Sequence, residues 1–167
     1  MNRIYLVLGL FLLLFFQVFI LNKINFFGYI NPYLYILFVF VYPVSKNRFS
    51  LLFFAFIYGL LIDLFSDSGG IHAFSLLFIA YIRIIFIKTF FQKSEADLSI
   101  FNLKTEPFGK VFNYVVILTV IHHFILFSLA NFSFQNFSDV LLNTLFSSVF
   151  TLILYFLGTF IFSRKSK

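Results

Sequence analysis

The sequence predicts an all-α integral membrane protein built as a bundle of six transmembrane helices, or five if one short segment does not cross. The first observation is composition: 62% of the residues are hydrophobic and 11% are charged. Soluble domains are about 45–50% apolar and about 25% charged. The second is a series of long apolar stretches, and the third is the placement of lysine and arginine between them. With no cysteine, we expect neither disulfides nor thiolate metal sites, and no cofactor.

Five apolar stretches are long enough, or nearly so, to cross about 30 Å of hydrocarbon, which takes about 20 helical residues. They are residues 4–21, 49–65, 71–87, 111–130 and 140–162. A sixth span is placed at residues 29–44, although its apolar part, Pro32–Val44, would cover only about 20 Å as a helix. That segment either tilts together with its flanking residues or re-enters the same side. We therefore predict one polytopic domain, residues 1–167, with a cytoplasmic loop at residues 88–110.

Basic residues predict the orientation, because cytoplasmic loops are enriched in lysine and arginine. With six spans and both ends inside, only Lys23 lies outside and Arg83 lies within a span. The inside residues are Arg3, Lys46, Arg48, Lys88, Lys93, Lys104, Lys110, Arg164, Lys165 and Lys167. Five spans would exchange the sides of Arg3 and Lys23 and give the same balance. Six is favoured, because five would translocate Arg3 and the α-amino group. The positive charge follows from this asymmetry, so no nucleic-acid binding is expected.

Ionisable residues are concentrated in the hydrophobic hairpin 58–83, where each costs about 2.5–3.5 kcal/mol to insert in the membrane centre. Asp63 precedes the turn and His72 follows it, at similar depth. A carboxylate–imidazole hydrogen bond is therefore one prediction. The alternative is that Asp63 reaches interfacial water or caps the neighbouring turn. Arg83 lies too far along its helix to reach Asp63, so we expect it to snorkel toward the cytoplasmic surface, with a partner-facing role as the second interpretation.

The remaining unusual residues have structural interpretations. Gly59 lies on the Asp63 face of its helix, where it would permit a close helix approach, and Gly69 and Gly70 are turn residues. His122 and His123 lie in mid-span and point about 100° apart on a helix, so we expect an interhelical hydrogen bond and no metal site. Reactive constellations such as a nucleophile elbow or a P-loop are missing from the sequence, so no enzyme activity is predicted.

The hairpin carries a family resemblance. Gly-x-x-x-Asp at residues 59–63, a small-residue turn, GGIHA at residues 69–73 and the upstream segment NPYLYILFVFVYP at residues 31–43 resemble the rod shape-determining protein MreD family. The resemblance implies a multi-pass protein of the bacterial inner membrane with a fold like the six-helix substrate-binding component of energy-coupling-factor transporters. It also implies a non-enzymatic role in cell shape and lateral peptidoglycan synthesis.

The implied protein partners are MreC directly, and MreB, RodA and a class B penicillin-binding protein indirectly; the lipid bilayer is the further partner. Candidate partner-facing or structural residues are Asn31, Pro32, Gly59, Asp63, Gly69, Gly70, His72 and Arg83.

The alternative function is the substrate-binding membrane subunit of a small-molecule importer. An importer is expected to present small residues at spacing four toward its energising partner, whereas the first span has only Gly9.

Overall fold

The computed structural model describes residues 3–26, 30–44, 48–132 and 137–163. Within these ranges the chain is helical, apart from loops and one isolated β-bridge between Phe26 and Ile30. The helices are α1 (Arg3–Phe19), α2 (Leu37–Val41), α3 (Phe49–Ser66), α4 (Ile71–Phe91), α5 (Phe108–Ala130) and α6 (Phe137–Ser163). The last four are long and apolar enough to cross a membrane. The predicted all-helical class is thus confirmed for the described residues, and these four helices support a membrane protein.

Several helix limits differ from the predicted spans. α1 ends at Phe19 and is followed by a 3₁₀ turn at Leu21–Lys23. α4 continues to Phe91 and α5 starts at Phe108, so the loop between α4 and α5 is shorter than the predicted residues 88–110. Of the predicted span 29–44, a 3₁₀ turn (Leu34–Ile36) and α2 are helical. Tyr29, Lys46, Arg164, Lys165 and Lys167, which entered the predicted spans and orientation, lie outside the described residues.

α1 and α3 run side by side in the same direction. The Tyr58 hydroxyl in the middle of α3 donates to the Leu10 carbonyl in the middle of α1 at 2.8 Å. At the ends of the same helices, the rings of Phe19 and Phe65 lie 6.3 Å apart. Two parallel neighbours require the intervening chain to return from one end of the bundle to the other.

The returning chain, residues 30–44, lies inside the bundle. We call it the broken segment, because a non-helical stretch at residues 30–33 leads into eight helical residues and then into a second non-helical stretch. Tyr35, Ile36 and Val39 in it are at most 2% exposed.

α3 to α6 pack as consecutive antiparallel neighbours around this segment. The α3–α4 contact is close because small residues face each other there: a Cβ added at Gly59 would lie 2.4 Å from the Ala73 Cα atom. Ala55, one turn before Gly59, is fully buried. Small residues at spacing four let helix backbones approach in a membrane. The expected close approach at Gly59 is therefore confirmed.

The loop between α4 and α5 folds back onto the end of the bundle. Leu98 is 2% exposed, and the Phe101 ring lies 5.1 Å from the buried ring of Phe91. Lys93 and Glu106 form an ion pair of 2.8 Å across the loop. The loop is thus anchored by apolar contacts, rather than being a loose connection.

Candidate functional site

The turn between α3 and α4 is organised by the carboxylate of Asp63. One of its oxygens accepts from the Ser68 hydroxyl at 2.5 Å and from the His72 backbone N–H at 3.0 Å. The other accepts from the Ala73 backbone N–H at 2.8 Å. The two backbone donors belong to the first turn of α4, whose N–H groups have no partner within the helix. Asp63 therefore caps the neighbouring helix, as the alternative interpretation held, and its predicted hydrogen bond to the His72 imidazole is wrong.

Backbone conformation explains the glycines of this turn. Gly69 and Gly70 have φ values of +66° and +95°, which side-chain-bearing residues adopt at a cost. Both positions are open, with no heavy atom within 4 Å of an added Cβ. Their prediction as turn residues is confirmed, and space alone would not require glycine at either position.

His72 bonds instead with the broken segment. Its Nδ1 atom and the Tyr35 hydroxyl share a hydrogen bond of 2.8 Å, and both residues are buried. The Tyr35 ring also contacts the edge of the His122 ring, with centroids 5.1 Å apart, and the rings of His122 and His123 lie 5.3 Å apart. All three histidines of the chain are therefore gathered around this segment in one half of the bundle.

A second chain of hydrogen bonds joins α5, α6 and the broken segment through Thr151. The Thr151 hydroxyl oxygen accepts from the Tyr33 backbone N–H at 3.0 Å and lies 3.0 Å from His123 Nε2. His123 Nδ1 lies 2.8 Å from the Thr119 carbonyl oxygen. A carbonyl can only accept, so Nδ1 carries the proton and Nε2 of the neutral ring accepts from Thr151. The interhelical hydrogen bond predicted for this histidine pair is confirmed for His123.

Side chains also bind the non-helical part of the broken segment, residues 30–33, where the backbone makes no hydrogen bonds within a helix of its own. The Gln17 amide donates to the Pro32 carbonyl at 3.0 Å and accepts from the Tyr35 N–H at 3.3 Å. The Asn31 N–H donates to the Ser147 hydroxyl at 3.2 Å. Irregular backbone is tolerated at membrane depth only when protein or water satisfies it. Pro32 is thus held by its carbonyl, and Asn31 by its main-chain N–H and by its side-chain oxygen, which accepts from the Asn25 N–H at 2.7 Å.

Arg83 lies at the other end of the broken segment and is 3% exposed. Its Nη2 atom donates to the Tyr42 carbonyl, just past the end of α2, at 2.6 Å. The expectation that it snorkels to the membrane surface is therefore wrong, because the guanidinium ends on a backbone carbonyl inside the protein. Its Nε and Nη1 atoms have no hydrogen-bond acceptor in the described part of the chain.

The arrangement links the candidate residues through the backbone of the broken segment. Asp63, His72, Asn31 and Pro32 lie toward one end of it, and Arg83 lies at the other. Within the described residues, no group of three or more histidine, cysteine or acidic side chains is placed to hold a metal ion. The histidine and tyrosine rings contact one another, and Tyr35, His72 and His123 form hydrogen bonds within the protein. Both ring nitrogens of the buried His122 have no hydrogen-bond partner in the described part of the chain. The site as built is suited to holding a chain segment in a fixed shape.

Sequence reasoning missed Gln17, Tyr33, Tyr35, Ser147 and Thr151. Signals for three of them were present in the sequence. Gln17 is the only amide side chain in the first apolar stretch, and amides inside membranes usually bond another helix. Ser147 and Thr151 are four residues apart on α6, and Thr144 and Ser148 extend the same buried hydroxyl face. The two tyrosines had no such signal, because they resemble the many other aromatic residues of the chain.

No family model, no curated protein and no solved structure matches this sequence or its structure.

Proposed function

We propose that this protein is a non-enzymatic membrane scaffold of the MreD type, which binds MreC and supports lateral peptidoglycan synthesis and cell shape. MreB, RodA and a class B penicillin-binding protein would be reached through the same assembly. The proposal includes six passes through the bacterial inner membrane, with α1 and the broken segment as the first two and the C-terminus in the cytoplasm. The bundle would then be like the substrate-binding component of energy-coupling-factor transporters.

The observation that carries the proposal is that the bundle interior is filled by its own chain. The broken segment occupies the space between α1, α4 and α6, and Tyr35, Ile36 and Val39 within it are at most 2% exposed. A transporter subunit needs that space for its substrate. A scaffold needs only a defined outer surface, and filling the interior gives the surrounding helices fixed positions. This favours the scaffold over the small-molecule importer.

The outer surface suits contacts with another transmembrane helix. α1 presents large apolar side chains outward, and Phe11, Leu12 and Phe19 are 58–63% exposed. Within a bilayer, lipid tails are as apolar as these side chains, so a partner helix is selected by shape and packing. The exposed phenylalanine rings along α1 give its outer face such a defined shape. We place the MreC contact on this face of α1.

Because the chain has no cysteine, a single introduced cysteine is the only labelling site on the protein and can test this contact. Leu12→Cys on the outward face and Leu14→Cys on the buried face, where Leu14 is 3% exposed, form a matched pair. Each is coupled to a photoactivatable maleimide in native membranes, and the cross-linked proteins are identified by mass spectrometry. We expect MreC from Leu12→Cys and not from Leu14→Cys.

A mild-detergent purification of the tagged protein from native membranes provides the independent test. MreC and cell-wall elongation enzymes should co-purify. Recovery of an ATPase pair without them would reject the scaffold and support the importer.

A further inference from the structure

A cleft lies at the end of the broken segment, where the chain leaves the bundle interior. It is lined by Tyr42, Pro43, Val44, Arg48, Leu51, Arg83 and Ile84. Its enclosed volume is about 10 Å³, room for one water-sized group, and the empty space of about 230 Å³ around it includes the open mouth. Two of these seven residues are arginines, and none is acidic. Residues 42–48 of the sequence, YPVSKNR, also contain no carboxylate.

Arg83 is the unusual group in this cleft. Nη2 is bound to the Tyr42 carbonyl, while Nε and Nη1 are buried and have no hydrogen-bond acceptor among the described residues. The Tyr114 hydroxyl interacts with the guanidinium, although the contact does not meet hydrogen-bond geometry, and a hydroxyl does not supply a counter-charge. No carboxylate of the described chain lies within ion-pair distance of Arg83. The ion pairs found in the described residues join lysines to glutamates of the loop between α4 and α5. A buried, uncompensated charge is costly, so the protein alone leaves this site electrostatically incomplete.

Two further features make the cleft positive. Arg48 lines it and is the residue that precedes α3, an 18-residue helix without a side-chain cap at this end. The first N–H groups of a helix carry the positive end of its dipole, and such helix ends bind phosphate and carboxylate groups. The cleft thus combines two guanidinium groups with an uncapped helix N-terminus.

We propose that a phosphate group binds at the open mouth of this cleft, with the headgroup of an anionic phospholipid as its source. Guanidinium groups bind phosphate through paired N–H donors, and Arg83 retains unused N–H groups. Basic pockets between transmembrane helices are known to receive anionic headgroups at the cytoplasmic surface, the side on which basic residues place Arg48. The proposal does not depend on the cell-shape function, since it concerns only the membrane lipid.

The test is thermal unfolding of the purified full-length protein in detergent micelles containing phosphatidylcholine. Phosphatidylglycerol is titrated in, and inorganic phosphate is titrated in a parallel series. A ligand that binds only the folded state raises the melting temperature in a saturable manner. We expect saturation with phosphatidylglycerol and at least a tenfold higher half-saturating concentration for Arg48→Gln and Arg83→Gln. Lys110→Gln, which removes an equally positive but exposed residue at the start of α5, should behave as the unchanged protein.

Saturation with inorganic phosphate that requires both arginines would also support the phosphate site and would assign its source to a soluble anion. The proposal is overturned if phosphatidylglycerol and phosphate act no differently from added phosphatidylcholine, or if Lys110→Gln weakens binding as much as the arginine variants. Arg48 is only half-buried and its side chain makes no helix-capping bond. Arg48→Gln therefore keeps the test valid even if Arg83→Gln does not fold.

Discussion

At the level of single residues, the buried polar side chains of this protein mainly serve the backbone. Asp63, Gln17, Thr151 and Arg83 each bond at least one main-chain N–H or carbonyl group. In a soluble protein, water could satisfy many of these backbone groups. Within a bilayer water is scarce, so each unsatisfied group costs several kcal/mol. The polar residues of the spans thus stabilise the backbone of the bundle, and the unpaired nitrogens of Arg83 are an exception to this pattern.

Asp63 is a direct test of this interpretation. Asp63→Ala removes the acceptor for two buried backbone N–H groups and the Ser68 hydroxyl, so we expect a loss of about 2 kcal/mol in unfolding free energy. Asp63→Asn keeps one acceptor oxygen and should lose less. Asp139→Ala removes an exposed carboxylate in the first turn of α6 and serves as the control. Unfolding in mixed micelles provides the measurement, and equal losses for Asp63→Ala and Asp139→Ala would contradict the capping role.

Thr151 supports a second prediction, because valine has nearly the same shape without the hydroxyl. Thr151→Val leaves the Tyr33 N–H without an acceptor and His123 Nε2 without a donor. We expect a loss of about 1–3 kcal/mol. Thr159→Val is the matched control, since Thr159 lies on the same helix, is exposed, and bonds only the Phe156 carbonyl of its own helix. If the two variants melted at the same temperature, Thr151 would not be supporting the broken segment.

Among the elements, α3 and α4 form the most closely packed pair, and Gly59 sets their separation. An added Cβ would meet backbone atoms of Ala73 and the His72 carbonyl, all closer than 3.0 Å. Backbone cannot move aside as a side chain can, so the helices must separate. We expect Gly59→Ala to cost about 1–3 kcal/mol and Gly59→Leu to prevent stable folding. Gly158→Ala, in open space on α6, should change stability by less than about 0.5 kcal/mol, and a comparable loss there would argue against the packing explanation.

The broken segment shows where sequence reasoning succeeded and where it stopped. Its length and apolar character singled it out, since Pro32–Val44 is too short for a continuous helical span. Pro32 and Pro43 lie outside its eight helical residues, as the loss of a backbone donor at proline predicts. Its burial could not be predicted, because burial depends on Gln17, Ser147 and Thr151, which are far away in the sequence. Periodicity describes one helix at a time, whereas these bonds join three elements.

For the molecule as a whole, the long helices were predictable and their mutual contacts were not. Apolar length identified α3 to α6 within a few residues, because crossing a membrane requires a minimum run of apolar residues. By contrast, Asp63 and His72 lay near each other as predicted but bonded differently. Which atom of His72 met Asp63 depended on the start of α4, and a change of one residue there redirects the side chain by about 100°. Contacts of this kind follow from three-dimensional packing.

The direction of each pass gives the last prediction, which again uses the absence of cysteine. Lys23 and Lys104 are both exposed, and their single-cysteine variants can be labelled in intact cells with a membrane-impermeant maleimide. If the broken segment crosses the membrane, Lys23→Cys reacts from outside, and Lys104→Cys reacts only after the membrane is opened. If it does not cross, Lys23 lies on the cytoplasmic side, and neither variant is labelled by the maleimide in intact cells. Since α1 and α3 are parallel and the chain between them returns through the bundle, we expect labelling at Lys23→Cys alone, and protection of both would reject the six-pass topology.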